Sequence, residues 1–303
     1  MENNLKKIEN NINSNNKDCL IDTGVKGLND YLPNLSGSLL SVIASKTSVG
    51  KTSLSINLFY NICCQLKQDA EQKNTDQKKA IFISTEMSQE SLTTKMISFI
   101  TGIPFGNLCK NNYTNYEPSQ LKEMTKEEIQ KAEKENFSKI KQASNILSGF
   151  NASFFTPAKG DLDKIKKLIV NQNEKNEIGV VIIDCLDLIR CLDDEEISLK
   201  EVVIQLKSIS KELNIPIIIT AQLPRSAENL PAKTSMISNL KWGDCVESYI
   251  DILMFLDRDN QKLEQNEKSN CSVFIEKNRF GSTGEVSLTF DPEVGKFTSL
   301  HSN

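Results

Sequence analysis

The sequence predicts an α/β fold: a mostly parallel sheet flanked by helices and extended near its end by antiparallel strands. Three observations carry that reading. The apolar run Leu39–Ala44 enters a loop of small residues, and a helical pattern opens at Gly50-Lys51-Thr52. Gly179-Val180-Val181-Ile182-Ile183-Asp184 is a continuous apolar run closed by an acid, as a strand covered on both faces reads. Strand-like and helix-like segments alternate, and the last part turns to hairpin-like pairs over Asp251–Leu256, Cys271–Glu276 and Glu285–Phe290.

The first observation is also the layout of a phosphate-binding loop. From Ser45 through Lys46, Thr47, Ser48, Val49, Gly50, Lys51 and Thr52 to Ser53, successive backbone N–H groups can turn inward on phosphate oxygens. The dipole of the following helix adds positive potential at the same place. Lys51 is placed to reach the β- and γ-phosphates of a nucleotide, and the Thr52 hydroxyl to ligate its magnesium. Gly50 fits because a Cβ would block close approach of the backbone to the ligand. The pattern G-x-x-x-x-G-K-[ST] asks for glycine where Ser45 stands. A chance Gly-Lys-Thr at an ordinary junction is the alternative, and the flanking strand and helix argue against it.

Along the chain, residues 1–22 are polar and Asn-rich, with a helical hint only at Leu5–Ile12, and read as a tail or the remnant of a linker. Residues 23–303 read as one domain. Thr23–Leu32 suggests a short helix before the first strand. Leu54, Leu58, Phe59 and Ile62 recur at helical spacing after the phosphate loop, whereas Gln65–Lys79 reads as a charged surface loop. Ala80–Ser84 is the second strand. After Thr85-Glu86-Met87, Ser88 can cap a helix with Gln89 and Glu90 in its first turn. Glu86 thus lies at the edge where open α/β sheets bind ligands. A solvated loop charge is its plainer reading, and its position favours a base that orients an attacking water.

Residues 107–148 read as one or two charged surface helices, 152–156 as a short strand and 161–169 as an amphipathic helix. Asp184 beside a phosphate loop is the Walker B arrangement, holding magnesium through its water or through Thr52. An acid that merely caps a turn is the alternative. Ser198-x-x-Glu201 is a capping box ahead of Val202, Leu206, Ile209 and Leu213. Ile215–Thr220 is another buried strand, and Gln222 at its tip can both donate and accept, which suits sensing of a γ-phosphate. Lys277-Asn278-Arg279-Phe280-Gly281 is a basic hairpin tip, by itself a solvated surface.

Composition sets the outer bounds. The chain has 303 residues, 38% apolar and 25% charged, the profile of a globular domain with an ample core. No run reaches the length of a membrane span and the polar start lacks a signal-peptide core, so a cytoplasmic location is expected. The cysteines at 19, 63, 64, 109, 185, 191, 245 and 271 include no Cys-x-x-Cys pair, which favours reduced thiols over a disulfide or zinc framework. His301 is the only histidine, which excludes histidine-based catalysis and His metal sites. A net charge of −4 disfavours a basic nucleic-acid coat but leaves room for a local basic channel.

Taken in order, Ala44–Thr52, Phe82-Ile83-Ser84-Thr85-Glu86-Met87-Ser88, Ile182-Ile183-Asp184-Cys185-Leu186, Ala221-Gln222-Leu223-Pro224-Arg225-Ser226 and Glu276–Gly281 resemble the C-terminal RecA-like ATPase domain of DnaB-type replicative helicases. The likeness runs from about Thr23 to Leu300, and that family often carries a small residue where Ser45 stands. The resemblance implies a RecA-like core, ATP and magnesium as cofactors, and a ring of six around single-stranded DNA in replication. It implies Glu86 as the catalytic glutamate, Asp184 as the Walker B acid and Gln222 as reporter of the γ-phosphate. It also implies that Lys277 and Arg279 enter the neighbouring subunit's site, where a cation supplied in trans stabilises transition-state charge.

The sequence departs from the family at three places. The family's N-terminal helical domain, which contacts primase, has no counterpart, and at most the end of the linker survives in residues 5–22. The DNA-loop region, 241–251 here, keeps Glu247 and Asp251 but little else of the family's pattern. Within it Lys241 is a candidate phosphate contact and Trp242 could stack on a base or serve as a packing residue. Asp187 stands where a polar amide usually follows the Walker B acid by three. Three functions are compatible with this set: a DnaB-type helicase or translocase, a non-helicase RecA-like ATPase such as a loader, recombination or partition factor or a helicase modulator, and an assembly module that binds nucleotide without turnover. Intact Glu86 and Asp184 count against the last.

Overall fold

The computed structural model describes residues 23–32, 37–116, 118–157, 160–189, 199–223, 244–258 and 268–300. The polar tail, the proposed cap at Ser198, the Pro224-Arg225-Ser226 stretch and the DNA-loop candidates Lys241 and Trp242 lie outside these residues.

One nine-stranded sheet organises the described chain. In chain order the strands are β1 (Leu40–Ser45), β2 (Lys79–Ser84), β3 (Ala152–Phe155), β4 (Ile178–Asp184), β5 (Ile217–Gln222), β6 (Ile252–Arg258), β7 (Ser269–Asn278), β8 (Gly284–Asp291) and β9 (Lys296–Ser299). Their spatial order is β3-β2-β4-β5-β1-β6-β7-β8-β9. The six from β3 to β6 run parallel, and β7, β8 and β9 continue antiparallel. The expected architecture is therefore present, with β9 added. That strand is short and polar on one face, so its alternation was too brief to read.

The helices are α1 (Lys26–Asn29), α2 (Lys51–Lys73), α3 (Gln89–Thr101), α4 (Phe105–Cys109), α5 (Pro118–Leu121), α6 (Lys126–Ser148), α7 (Leu162–Lys175), α8 (Leu199–Leu213) and α9 (Asp244–Glu247). They explain why β1 and β4 are buried on both faces and read as largely apolar runs. Ile43, Val180 and Ile182 pack with Leu54, Leu58 and Phe59 of α2 on one face. Leu40, Val42, Val181 and Ile183 pack with Ile165 and Ile169 of α7 and Val202 and Leu206 of α8 on the other. Each such side chain withdrawn from water contributes about 1.5–3 kcal/mol.

One expectation is corrected. Most of Gln65–Lys79 is not a loop, because α2 continues to Lys73 and only residues 74–78 connect it to β2. Leu66 keeps the buried stripe going, and Gln65 donates to Asp69 one turn on at 2.7 Å. The helix stops where Asn74 takes a left-handed φ of 51° and its N–H returns to the Ala70 carbonyl. Polarity there marks the solvated face of a helix. Ser88 caps α3 as expected, accepting from the Ser91 N–H. Thr125 and Glu128 form a capping box at α6 that the sequence reading passed over.

Register brings the candidate residues to one edge. Ser45 pairs with Gln222 across β1 and β5, and Ser84 with Asp184 across β2 and β4. Parallel strands aligned this way end together, so the phosphate loop, Glu86, Asp184 and Gln222 share the carboxyl edge of the sheet. None of the described helices is long and apolar enough to cross a membrane.

Candidate active site

A cavity of about 770 Å³ opens at that edge, lined by Thr47, Ser48, Gly50, Lys51, Thr52, Ser53, Glu86 and Gln222 together with Lys95, Cys185, Arg258, Phe290 and Pro292. The loop reaches it through two left-handed residues, Ser48 at φ 59° and Gly50 at φ 115°. Gly50 is required for that angle. A Cβ there would also stand 3.0 Å from the Phe297 ring and 3.3 Å from Phe290, so the crowding comes from the protein's own aromatics. Ser45 and Val49 are buried behind the loop rather than lining it. Ser45 satisfies its own hydroxyl by donating to the Lys46 carbonyl at 2.8 Å, which lets a serine sit in the position that glycine usually fills. The same carbonyl accepts from the Lys51 ammonium at 3.3 Å.

Beneath the loop, Asp184 is 1% exposed. One carboxylate oxygen accepts from the Thr52 hydroxyl at 2.8 Å and the other from the Thr220 hydroxyl. A hydroxyl and a carboxylate in contact are hard oxygen donors of the kind magnesium takes, with nucleotide phosphates and waters completing its shell. Among the described residues no group of three or more His, Cys, Asp or Glu could hold a metal unaided. The donor set therefore fits a cation that arrives with the nucleotide.

Glu86 is held by its neighbours on both sides. The Thr85 N–H donates to the Asp184 carbonyl at 2.7 Å, its hydroxyl accepts from the Cys185 N–H at 3.0 Å, and the Met87 N–H donates to the Ser84 hydroxyl at 2.9 Å. Partial burial raises the Glu86 pKa, the Asp184 carboxylate raises it further, Lys51 opposes, and Asp187 adds to the rise. Burial lowers the Lys51 pKa, against the pull of Cys185, Asp184, Asp187 and Glu86. A carboxylate with an upward-shifted pKa lining this cavity is equipped to accept a proton.

Asp187 now has a structural role. Its carboxylate accepts from the Gln222 backbone N–H at 2.6 Å, which ties the turn after β4 to the tip of β5. An amide oxygen could make the same contact, so the departure adds charge and keeps the link.

Five cavity residues were missed: Lys95, Cys185, Arg258, Phe290 and Pro292. Arg258 closes β6 at the same edge, and its guanidinium stands 5.1 Å above the Phe290 ring. The rule that singled out Glu86, a charged residue ending an apolar strand, would have found it. Phe290 stacks on Phe297 at 4.3 Å between ring centres. Lys95, which projects from α3 over the Phe105 ring at 4.6 Å, carries no spacing signal.

Lys277 and Arg279 are not part of this cavity. The Arg279 N–H donates to the Asp251 carbonyl at 3.0 Å, and the Asp251 N–H to the Leu40 carbonyl at 2.9 Å. They therefore sit at the amino edge, level with the start of β1. Five strand steps of about 3.3 Å separate Leu40 from Ser45, so roughly 16 Å of sheet lies between the basic pair and its own phosphate loop.

A family model described as DnaB-like helicase C terminal domain matches residues 21–299. The replicative DNA helicase DnaB of Rickettsia typhi is 30% identical over 304 residues, a match spanning 92% of this chain and 57% of that protein. The probable plasmid replicative DNA helicase of Chlamydia trachomatis is 26% identical over 292 residues, spanning 95% of this chain and again 57% of the relative. The chain thus spans a little over half the length of these relatives. Among solved structures, that of a DnaB-like replicative helicase, described together with its interactions with primase, superposes with a TM-score of 0.73 at 22% identity. The superposition covers 93% of this chain and 63% of the other, and speaks to the fold.

Proposed function

The chain belongs to the DnaB-like helicase C-terminal domain family, and from that premise we propose that it hydrolyses magnesium-ATP and couples turnover to movement along single-stranded DNA, as a ring of six acting in replication. The observation that carries this reading is the meeting at one sheet edge of Lys51, the Thr52–Asp184 contact, Glu86 and Gln222.

In this reading the loop amides and Lys51 bind the phosphates. Thr52 and Asp184 would hold magnesium, which would neutralise charge developing on the phosphates. Glu86 orients the attacking water and accepts its proton. Gln222, fixed to Asp187 through its backbone, carries the state of the γ-phosphate into β5 and the segment that follows it. Arg258, laid over the buried Phe290 ring, offers a flat cationic surface against which a nucleotide base can rest. Lys277 and Arg279, a sheet's length from their own cavity, serve the neighbouring subunit. Single-stranded DNA binding rests on the family and on Lys241 and Trp242. A cytoplasmic location goes with work on replicating DNA, and other replication proteins are the expected further partners.

The test is ATP hydrolysis with and without single-stranded DNA, using Lys51→Ala and Arg279→Ala as controls. Turnover stimulated by DNA and lost in both variants supports a multisubunit motor. Turnover indifferent to DNA would move the reading to a non-helicase ATPase. Nucleotide binding without turnover would move it to an assembly module.

A further inference from the structure

Asp251 lies just ahead of β6 and is 2% exposed. One of its carboxylate oxygens accepts from the Leu40 N–H at 2.8 Å and from the Lys207 ammonium at 2.5 Å. Lys207 projects from α8, is itself 5% exposed, and also donates to the Ser38 carbonyl at 2.8 Å. The other carboxylate oxygen accepts from the Arg279 guanidinium at 3.1 Å. Arg279 makes a second bond to the Ser248 carbonyl, and Lys277 donates to the Glu247 carbonyl. The Arg279 side chain remains 45% exposed.

The two oxygens of Asp251 thus have different tasks. A buried carboxylate needs a buried partner, and Lys207 with the Leu40 amide supplies it at one oxygen. The charge of Asp251 is therefore compensated without Arg279. The second oxygen is left to hold a half-exposed guanidinium through one bond, while the backbone of the same aspartate fixes the Arg279 N–H. That arrangement fixes the direction of the side chain while leaving it half-exposed. The other anchors, the Glu247 and Ser248 carbonyls, close the segment that leads from β5 to β6, so these two residues and Asp251 form one bracket for the basic pair.

We propose that Asp251 is a positioning residue that trains Arg279 on the neighbouring subunit's nucleotide, with Lys207 as the fixed counter-charge that keeps the carboxylate in place when Arg279 engages. The inference rests on the reading above that Arg279 acts in trans.

The test is subunit mixing, read as DNA-stimulated ATP turnover. Arg279→Ala lacks the trans cation but keeps its own cavity, and Lys51→Ala the reverse, so their mixture must exceed the sum of its parts if the trans reading holds. If that control mixture stays inactive, the trans reading itself falls and takes this inference with it. The double variant Asp251→Asn/Lys207→Met removes the buried pair together. The Asn oxygen can still accept from Leu40, while its amide cannot accept from Arg279. It is expected to lose about 10²-fold in kcat with an unchanged KM for ATP, to recover when mixed with Lys51→Ala, and not to recover with Arg279→Ala. Asp251→Glu, which keeps the charge for Lys207 but moves the carboxylate by a methylene, is the second variant should the first unfold, and is expected to fall in the same complementation class. With the control mixture active, unchanged kcat, recovery with Arg279→Ala, or recovery with neither partner would overturn the assignment.

Discussion

At the carboxyl edge of the parallel strands, Glu86, Asp184 and Asp187 crowd around Lys51; at the amino edge, Lys207, Lys277 and Arg279 gather near one carboxylate, Asp251. The first group has more negative than positive charge and the second more positive than negative. Burial lowers the Lys277 pKa and the adjacent Arg279 charge lowers it further, against Glu247 and Asp251. Lys95 and Arg258 also line the first edge, and Glu247 lies beside Lys277 at the second, so the difference is one of grouping and not of net charge. On the reading that Arg279 acts in trans, the second edge would face another copy's first.

The largest effect should come from the amino edge. Arg279→Ala is expected to reduce kcat by about 10³–10⁵, the range of a trans-acting arginine, while leaving nucleotide affinity within a few-fold. Equilibrium binding of a labelled nucleotide beside steady-state turnover checks it, and a large loss of affinity would make the arginine part of its own subunit's pocket.

Next comes Glu86→Gln, with turnover expected to fall about 10²–10⁴-fold and nucleotide still bound. The raised pKa gives this prediction a sign. Glu86 works ionised, so kcat/KM must decline as pH falls through a value above that of an ordinary glutamate, and the acid limb should vanish in Glu86→Gln. Asp187→Asn removes one of the charges that raise the pKa and keeps an acceptor for Gln222, so it should move the limb to lower pH. A limb that stays where it was would separate Asp187 from the chemistry.

The smallest effects are on stability. Gly50→Ala combines a left-handed φ with contact against Phe297 and Phe290, and should cost about 1–3 kcal/mol in denaturant unfolding. Thr220→Val should cost about 1–3 kcal/mol, because it removes a donor from buried Asp184. Equal stability in either variant would mean that the loop or the acid adjusts more freely than its burial suggests.

The carboxyl edge was largely legible in the sequence because its signals are local. Strand followed by loop and helix announces Lys51 and Thr52, and an acid closing an apolar run announces Asp184. Each signal lies within one short stretch, although the contact it leads to, Thr52 with Asp184, spans 132 residues. The amino edge was not legible in the same way. Lys207 lies 44 residues from Asp251, and the Asp251 carboxylate joins β1 across 211 residues, so no spacing could pair them. The basic hairpin taken alone read as solvated surface, and only the family likeness gave it a purpose. Gln65–Lys79 misled for a different reason, since an exposed helical face and a loop share one composition.

The division of labour between the two edges is most directly tested by turnover per subunit over a dilution series, with assembly followed on the same samples by sedimentation. If the sites are completed in trans, turnover per subunit collapses as the oligomer dissociates, and Arg279→Ala stays low and flat throughout. Constant turnover in a population shown to be monomeric would contradict it, for each subunit would then complete its own site.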